Sequence, residues 1–146
     1  LAGPLEDAGL KLYAQHVDPL DIATLIDIFR AEENACLLGT DATRDGVDVP
    51  GRSLRLVVYD RTPWPRPTLL HKARRAHFGK NYDDMLTRFK LKQAYGRLIR
   101  SAADHGVFVM LDTALPSRLL SAFPEGVAVE RVGLKAAAEM IKKFLG

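Results

Sequence analysis

Residues 35–60 read ACLLGTDATRDGVDVPGRSLRLVVYD. Ala35 to Gly39 is a short continuous apolar run, the pattern of a strand buried on both faces. Ser53 to Asp60 is a second such strand, rich in β-branched residues. Between them, Thr40 to Gly51 mixes acidic and hydroxyl residues with glycine and proline and shows little periodicity. It reads as a loop, long for a compact domain, and long ordered loops are often functional.

Upstream, Leu10 to Val17 alternates well enough for a short strand. Asp18 and Pro19 then read as N-cap and first position of a helix running through LDIATLIDIFRAEE. Downstream, the three prolines of Thr62 to Pro67 exclude regular structure. Leu69 to Phe78 reads as a basic helix ended near Gly79, and Asp83 to Ala103 as a long helix. Val107 to Leu111 is a third buried strand and Leu115 to Phe123 a short helix closed by Pro124. Gly126 to Val132 reads as an edge strand, and Leu134 to Leu145 as a helix with Lys142 and Lys143 in its last turn, where the helix dipole favours them. Apolar strands alternating with helices predict an α/β fold with a mainly parallel sheet, in one domain over residues 1–146. Ligands of such sheets sit off the carboxyl ends of strands, where the segments from Thr40 and Thr62 begin.

Composition narrows the function. No apolar run reaches the ~20 residues of a membrane span. The single cysteine, Cys36, excludes an internal disulfide and reads as a buried structural thiol, which fits a reducing, cytoplasmic setting. Residues 1–50 carry three basic and ten acidic side chains, whereas residues 61–105 carry eleven basic and three acidic ones. That polarity suggests an anionic partner for the middle of the chain, with nucleic acid the first candidate. The same charges spread over several faces would make no patch.

Lys90 to Arg100, KLKQAYGRLIR, places Leu91, Tyr95, Leu98 and Ile99 on one helical face. Arg97 and Arg100 are three apart, so a helix would project them side by side. Paired guanidiniums suit a phosphate chain, and a solvated basic edge of a core helix fits the same spacing. Asp48 reads either as a loop-capping turn residue or as a functional carboxylate. Trp64, between prolines, could pack the turn or stack on a base. Lys72, Arg74, Arg75 and Lys80 form the densest basic group.

Two stretches now stand in order: LGTDATRDGVDVPG at Leu38 to Gly51, and QAYGRLIR at Gln93 to Arg100 followed by Asp104-His105-Gly106. Together they resemble motifs V and VI of the second motor domain of superfamily 2 DNA helicases of DinG/XPD type. The segments LRLVVYDRTPWPRP and VFVMLD are similar to the same group, and the resemblance covers residues 10 to about 125. Arg44 and Asp45 depart from it, since an aromatic and a glutamate are usual before GVD.

The resemblance implies a RecA-like fold, taken up just after its first strand, and a fragment of a larger protein. It implies ATP and Mg²⁺ held mainly by an N-terminal motor domain of the same protein. No phosphate loop or acidic Mg²⁺ pair occurs in this chain. Arg97 and Arg100 match the arginines that act as catalytic fingers, and Gln93, Gly46 and Asp48 match the nucleotide side. From the residues themselves, Gly39 and Thr40 at a strand end suit a phosphate of single-stranded DNA, Thr43 and Arg44 could add to that contact, and Trp64 is the candidate for base stacking, with packing of the proline turn the commoner role of such a residue. Gly96 would let the helix approach a neighbour closely. The expectation is half of an ATP-dependent DNA helicase, inactive alone, with no membrane partner and no metal ligands of its own. A non-catalytic nucleic-acid-binding or scaffold module is the alternative.

Overall fold

The computed structural model describes residues 2–40, 43, 48–49 and 53–146. They fall into two compact units, Leu1–Arg55 and Leu56–Gly146.

In the first unit a short helix α1 (Ala2–Asp7) leads to strand β1 (Lys11–Ala14), helix α2 (Ile22–Ala31) and strand β2 (Ala35–Leu38). β1 and β2 pair in parallel, with Lys11 opposite Ala35 and Ala14 opposite Leu38. Leu25, Ile26 and Phe29 of α2 are buried, and Ile26 and Phe29 pack with Val49. The apolar stripe of the sequence thus forms, but the helix starts later than Asp18. Its N-cap is Asp21, whose carboxylate accepts Thr24 N at 3.0 Å and Thr24 Oγ1 at 2.7 Å. Asp18 is committed elsewhere: its Oδ2 accepts Ala14 N at 2.7 Å and its own N–H donates to Ala14 O at 3.0 Å. It closes a tight turn after β1, in which His16 takes the left-handed φ of 69° that non-glycine residues rarely adopt.

In the second unit β3 (Leu56–Tyr59) pairs in parallel with β4 (Val107–Met110). Between them lie helices α3 (Leu69–Phe78) and α4 (Tyr82–Leu98). A 3-10 helix (Ser117–Ala122) and α5 (Leu134–Leu145) follow β4. Fully buried Leu91 of α4 meets Leu119 and Ala122 of the 3-10 helix, and Phe108, Met110 and Phe123 pack around them. Arg118 of that helix holds Asp84 of α4 through a forked pair at 2.6 and 3.1 Å.

The chain is therefore α/β and RecA-like, with parallel strands and helices alternating along the sequence. Three expectations change. The strands are shorter than predicted and are not buried on both faces: in β3 Leu56 and Val58 are exposed while Val57 and Tyr59 are half-buried. Cys36 of β2 is likewise half-buried. Residues 126–132 form no strand; that segment is tied to the 3-10 helix by Arg131, whose Nη2 donates to Ser117 Oγ at 3.0 Å. α4 stops at Leu98 rather than Ala103.

Candidate functional site

The first cluster sits where β2 ends. Gln15, one residue past β1, donates its N–H to Leu38 O at 2.9 Å and so extends the strand pairing. Its side-chain Oε1 then accepts Thr40 N, Thr40 Oγ1 and Thr43 Oγ1, each at 2.9 Å. Thr43 N donates to Thr40 O at 3.0 Å, and Thr43 is buried. Gly39 is required by this arrangement: a Cβ built there would overlap the Thr43 side chain. The structure thus brings Gly39, Thr40 and Thr43 together.

Asp48 is exposed, and its main-chain oxygen accepts Arg30 Nε at 3.2 Å and Arg30 Nη2 at 3.0 Å. Arg30 also pairs with Asp27 at 2.9 Å, so α2 fixes the backbone at Asp48 while Val49 anchors the next residue in the core. Gly46 and Arg44 lie outside the described residues.

The second cluster is the end of α4. Gln93 is exposed and Arg97 half-buried. The helix is capped at Ile99, which turns extended at φ −121° and ψ 109° while its N–H still reaches Tyr95 O at 2.9 Å. Arg100 is therefore not on the helix beside Arg97. Asp104 explains the break. Its Oδ2 accepts Arg100 N at 2.8 Å and Ser101 N at 2.7 Å, removing the two donors that would have continued the ladder. Those backbone bonds, Arg100's first, hold the Asp104 carboxyl below its ordinary value, because they favour the charged form. The Arg100 side chain curls back, with Nε 3.4 Å from Arg97 O. The two arginines remain neighbours through this turn rather than through helical spacing. Gly96 is exposed, and a Cβ there would meet nothing within 4 Å among the described residues.

Trp64 is 40% exposed, in an irregular proline segment after β3, where its main-chain N–H donates to Thr62 O at 2.8 Å. The segment is clamped at its root by Asp112, just past β4, whose Oδ2 accepts Thr62 Oγ1 at 2.6 Å and Thr62 N at 2.9 Å. These bonds, the Thr62 hydroxyl first, lower the Asp112 pKa. At the turn between α3 and α4, Lys72, Arg75, Ala76, Gly79 and Lys80 line an open basic concavity. Arg75 Nε also lies 3.3 Å from Asp83 Oδ2.

Sequence reasoning missed Gln15, Arg30 and Asp112. A lone amide, arginine or aspartate at an element's end has no spacing signature, although Asp112 stands at a strand's carboxyl end. No described helix is long and apolar enough to cross a membrane.

Chemically, Gln93, Arg97 and Arg100 offer amide and guanidinium donors, which suit phosphate oxygens. The threonine cluster offers hydroxyl and main-chain N–H groups, the kind that position a nucleic-acid backbone.

Comparison with known proteins agrees in kind. Residues 1–128 match the family described as the helicase C-terminal domain. The chain is 39% identical over 101 residues to the ATP-dependent helicase DinG of Mycobacterium tuberculosis (strain ATCC 25177 / H37Ra), covering 64% of this chain and 15% of that protein. It is 39% identical over 102 residues to the ATP-dependent DNA helicase YoaA of Escherichia coli (strain K12), covering 64% and 16%. It is 34% identical over 113 residues to a protein of Bacillus subtilis (strain 168) named 3'-5' exonuclease DinG, covering 72% and 12%. The chain thus spans less than a fifth of the length of these relatives.

Proposed function

The chain belongs to the helicase C-terminal domain family, of DinG type, and on that premise we propose that it is the second motor domain of a cytoplasmic ATP-dependent DNA helicase. As one domain over residues 1–146, it works against an N-terminal motor domain of the same protein, which holds most of the ATP and Mg²⁺. The bound nucleotide supplies the phosphoanhydride whose hydrolysis drives movement along the strand.

This chain's part is charge and position. Arg97 and Arg100 meet the negative charge that develops on the transferred phosphoryl group, and so act on kcat more than on binding. Gln93, Gly46 and Asp48 hold the nucleotide side of the cleft. Gly39, Thr40, Thr43, Arg44 and Trp64 contact single-stranded DNA, with Lys72 and Lys80 extending the electrostatic track.

The observation that carries the reading is the turn at Ile99 to Asp104. Asp104 anchors the main chain on which Arg100 is mounted, next to an arginine on the last turn of α4. Such preorganisation is what electrostatic stabilisation requires.

In the protein carrying both motor domains, Arg100→Ala is expected to lower kcat for ATP by about 10³-fold or more. Single-strand affinity stays within a factor of about three, since the arginine acts on the nucleotide. Steady-state ATPase assays with parallel DNA titrations read both. Equal loss of turnover and DNA binding would make Arg100 a structural residue. The 146-residue chain by itself is expected to show no ATPase activity, and DNA-stimulated turnover by it would sink that expectation.

A further inference from the structure

Gln15 Oε1 receives three hydrogen bonds, from Thr40 N, Thr40 Oγ1 and Thr43 Oγ1. An amide oxygen has two lone pairs, so this one is oversubscribed. A main-chain N–H and two hydroxyls converging on a single oxygen match an anionic phosphate oxygen better than a neutral amide. The orientation of the amide is fixed by chemistry: an NH₂ group cannot accept from Thr40 N–H, so the oxygen must face the loop.

The arrangement also consumes the donors of both threonines. Each hydroxyl has one proton, and both are given to Gln15. Thr40 N is given to Gln15 as well, and Thr43 N to Thr40 O. While Gln15 is in place, neither threonine can donate to DNA.

We propose that Gln15 is a positioning residue that stands in for a DNA phosphate oxygen on the Thr40–Thr43 loop and gives up its place when single-stranded DNA binds. The proposal rests on the reading of that loop as a DNA contact. The exchange needs only side-chain rotation. Gln15 N stays on Leu38 O, and Ala14 O accepts Val17 N at 3.2 Å and Asp18 N at 3.0 Å, pinning the turn at His16. Gln15 is half-buried, Thr40 exposed and Thr43 buried, so an incoming strand would meet the cluster from the Thr40 side. Gly39 keeps the Thr43 hydroxyl aimed at it, because any side chain at residue 39 would displace Thr43. In the strand-free protein, Gln15 keeps the cradle assembled and also competes with its ligand.

Competition and mere support predict opposite signs. In the nucleotide-free protein carrying both motor domains, a labelled oligothymidylate is titrated against Gln15→Ala, Gln15→Met and Gln15→Glu. Gln15→Ala and Gln15→Met remove the competing acceptor, and the Kd for the oligonucleotide is expected to fall about three- to tenfold. Gln15→Met preserves length and apolar packing, so it decides the question if Gln15→Ala loses its fold. Gln15→Glu keeps the shape but holds the three donors through charge-assisted bonds and repels phosphate, so Kd rises by about tenfold or more. Weaker binding by Gln15→Met at an unchanged melting temperature would overturn the proposal and leave Gln15 as a loop support. Wild-type protein with no single-strand affinity would instead overturn the loop's role in DNA contact.

Discussion

Asp104 holds the main chain of Arg100 and Ser101 with one carboxylate oxygen. Its pKa is lowered in the folded chain, so its contribution to stability is complete above the unfolded value of about 3.9 and is lost as pH falls through the lower folded value. Between about pH 5 and 8 the turn is therefore insensitive to pH, and it loosens only on stronger acidification. A carboxyl-carbon NMR titration is expected to place the Asp104 midpoint below that of a random-coil aspartate, and Asp104→Asn should remove that part of the acid limb of unfolding. A midpoint at or above the random-coil value would contradict the backbone bonds. Residues of this kind were only half legible. Gly39, Thr40 and Thr43 stood out by motif, and the structure gives the glycine a steric reason in Thr43. Asp104 was visible as a letter after QAYGRLIR but not as the group that ends the helix, because capture of two backbone donors depends on a turn that no periodicity encodes. Gln15 lies 25 residues from its partner Thr40 and had no local signal at all.

Among elements, α4 joins the core of the second unit to its arginines. Thr87, Leu91, Ala94 and Leu98 are buried, which puts one face against the 3-10 helix. Met85, Phe89, Gln93 and Gly96 are exposed, and lie three or four residues apart along the opposite side. Gly96 therefore lowers helix propensity without any steric return inside this chain. Gly96→Ala is expected to stabilise the chain by about 0.5–1 kcal/mol in urea denaturation. The same substitution should slow ATP turnover in the protein with both motor domains, if a neighbour lies against that face. Destabilisation of the chain alone would mean a contact the structure does not contain. The helices were legible because their apolar periodicity and caps are local: α3 and α5 span the predicted residues. The start of α2 was misread because two aspartates competed for one cap, and Asp18 was already bound to Ala14. The strand predicted at residues 126–132 failed because alternation supplies a pattern but not a partner.

At the scale of the whole molecule, the acidic first third and basic middle separate along the sequence in much the way the chain divides into units. Lys72 and Lys80 border the same basic concavity in the second unit. Lys72→Glu combined with Lys80→Glu is expected to weaken oligothymidylate binding uniformly across sequences. It should also flatten the plot of log Kd against log salt by about 0.7 per lost phosphate contact. An unchanged slope would remove this face from the track. The α/β class was legible from alternating strands and helices. The separate strand pairs were not, because pairing depends on partners far along the chain. Lys11 meets Ala35 across 24 residues, whereas Leu56 meets Val107 across 51. Closing a loop twice as long costs about 0.6 kcal/mol more in chain entropy. Strand pairing in the first unit is also complete once residue 38 has been made, whereas the second unit waits for residue 110. During synthesis, β1 and β2 can pair while β3 still lacks β4. Assembly then proceeds from the first unit to the second.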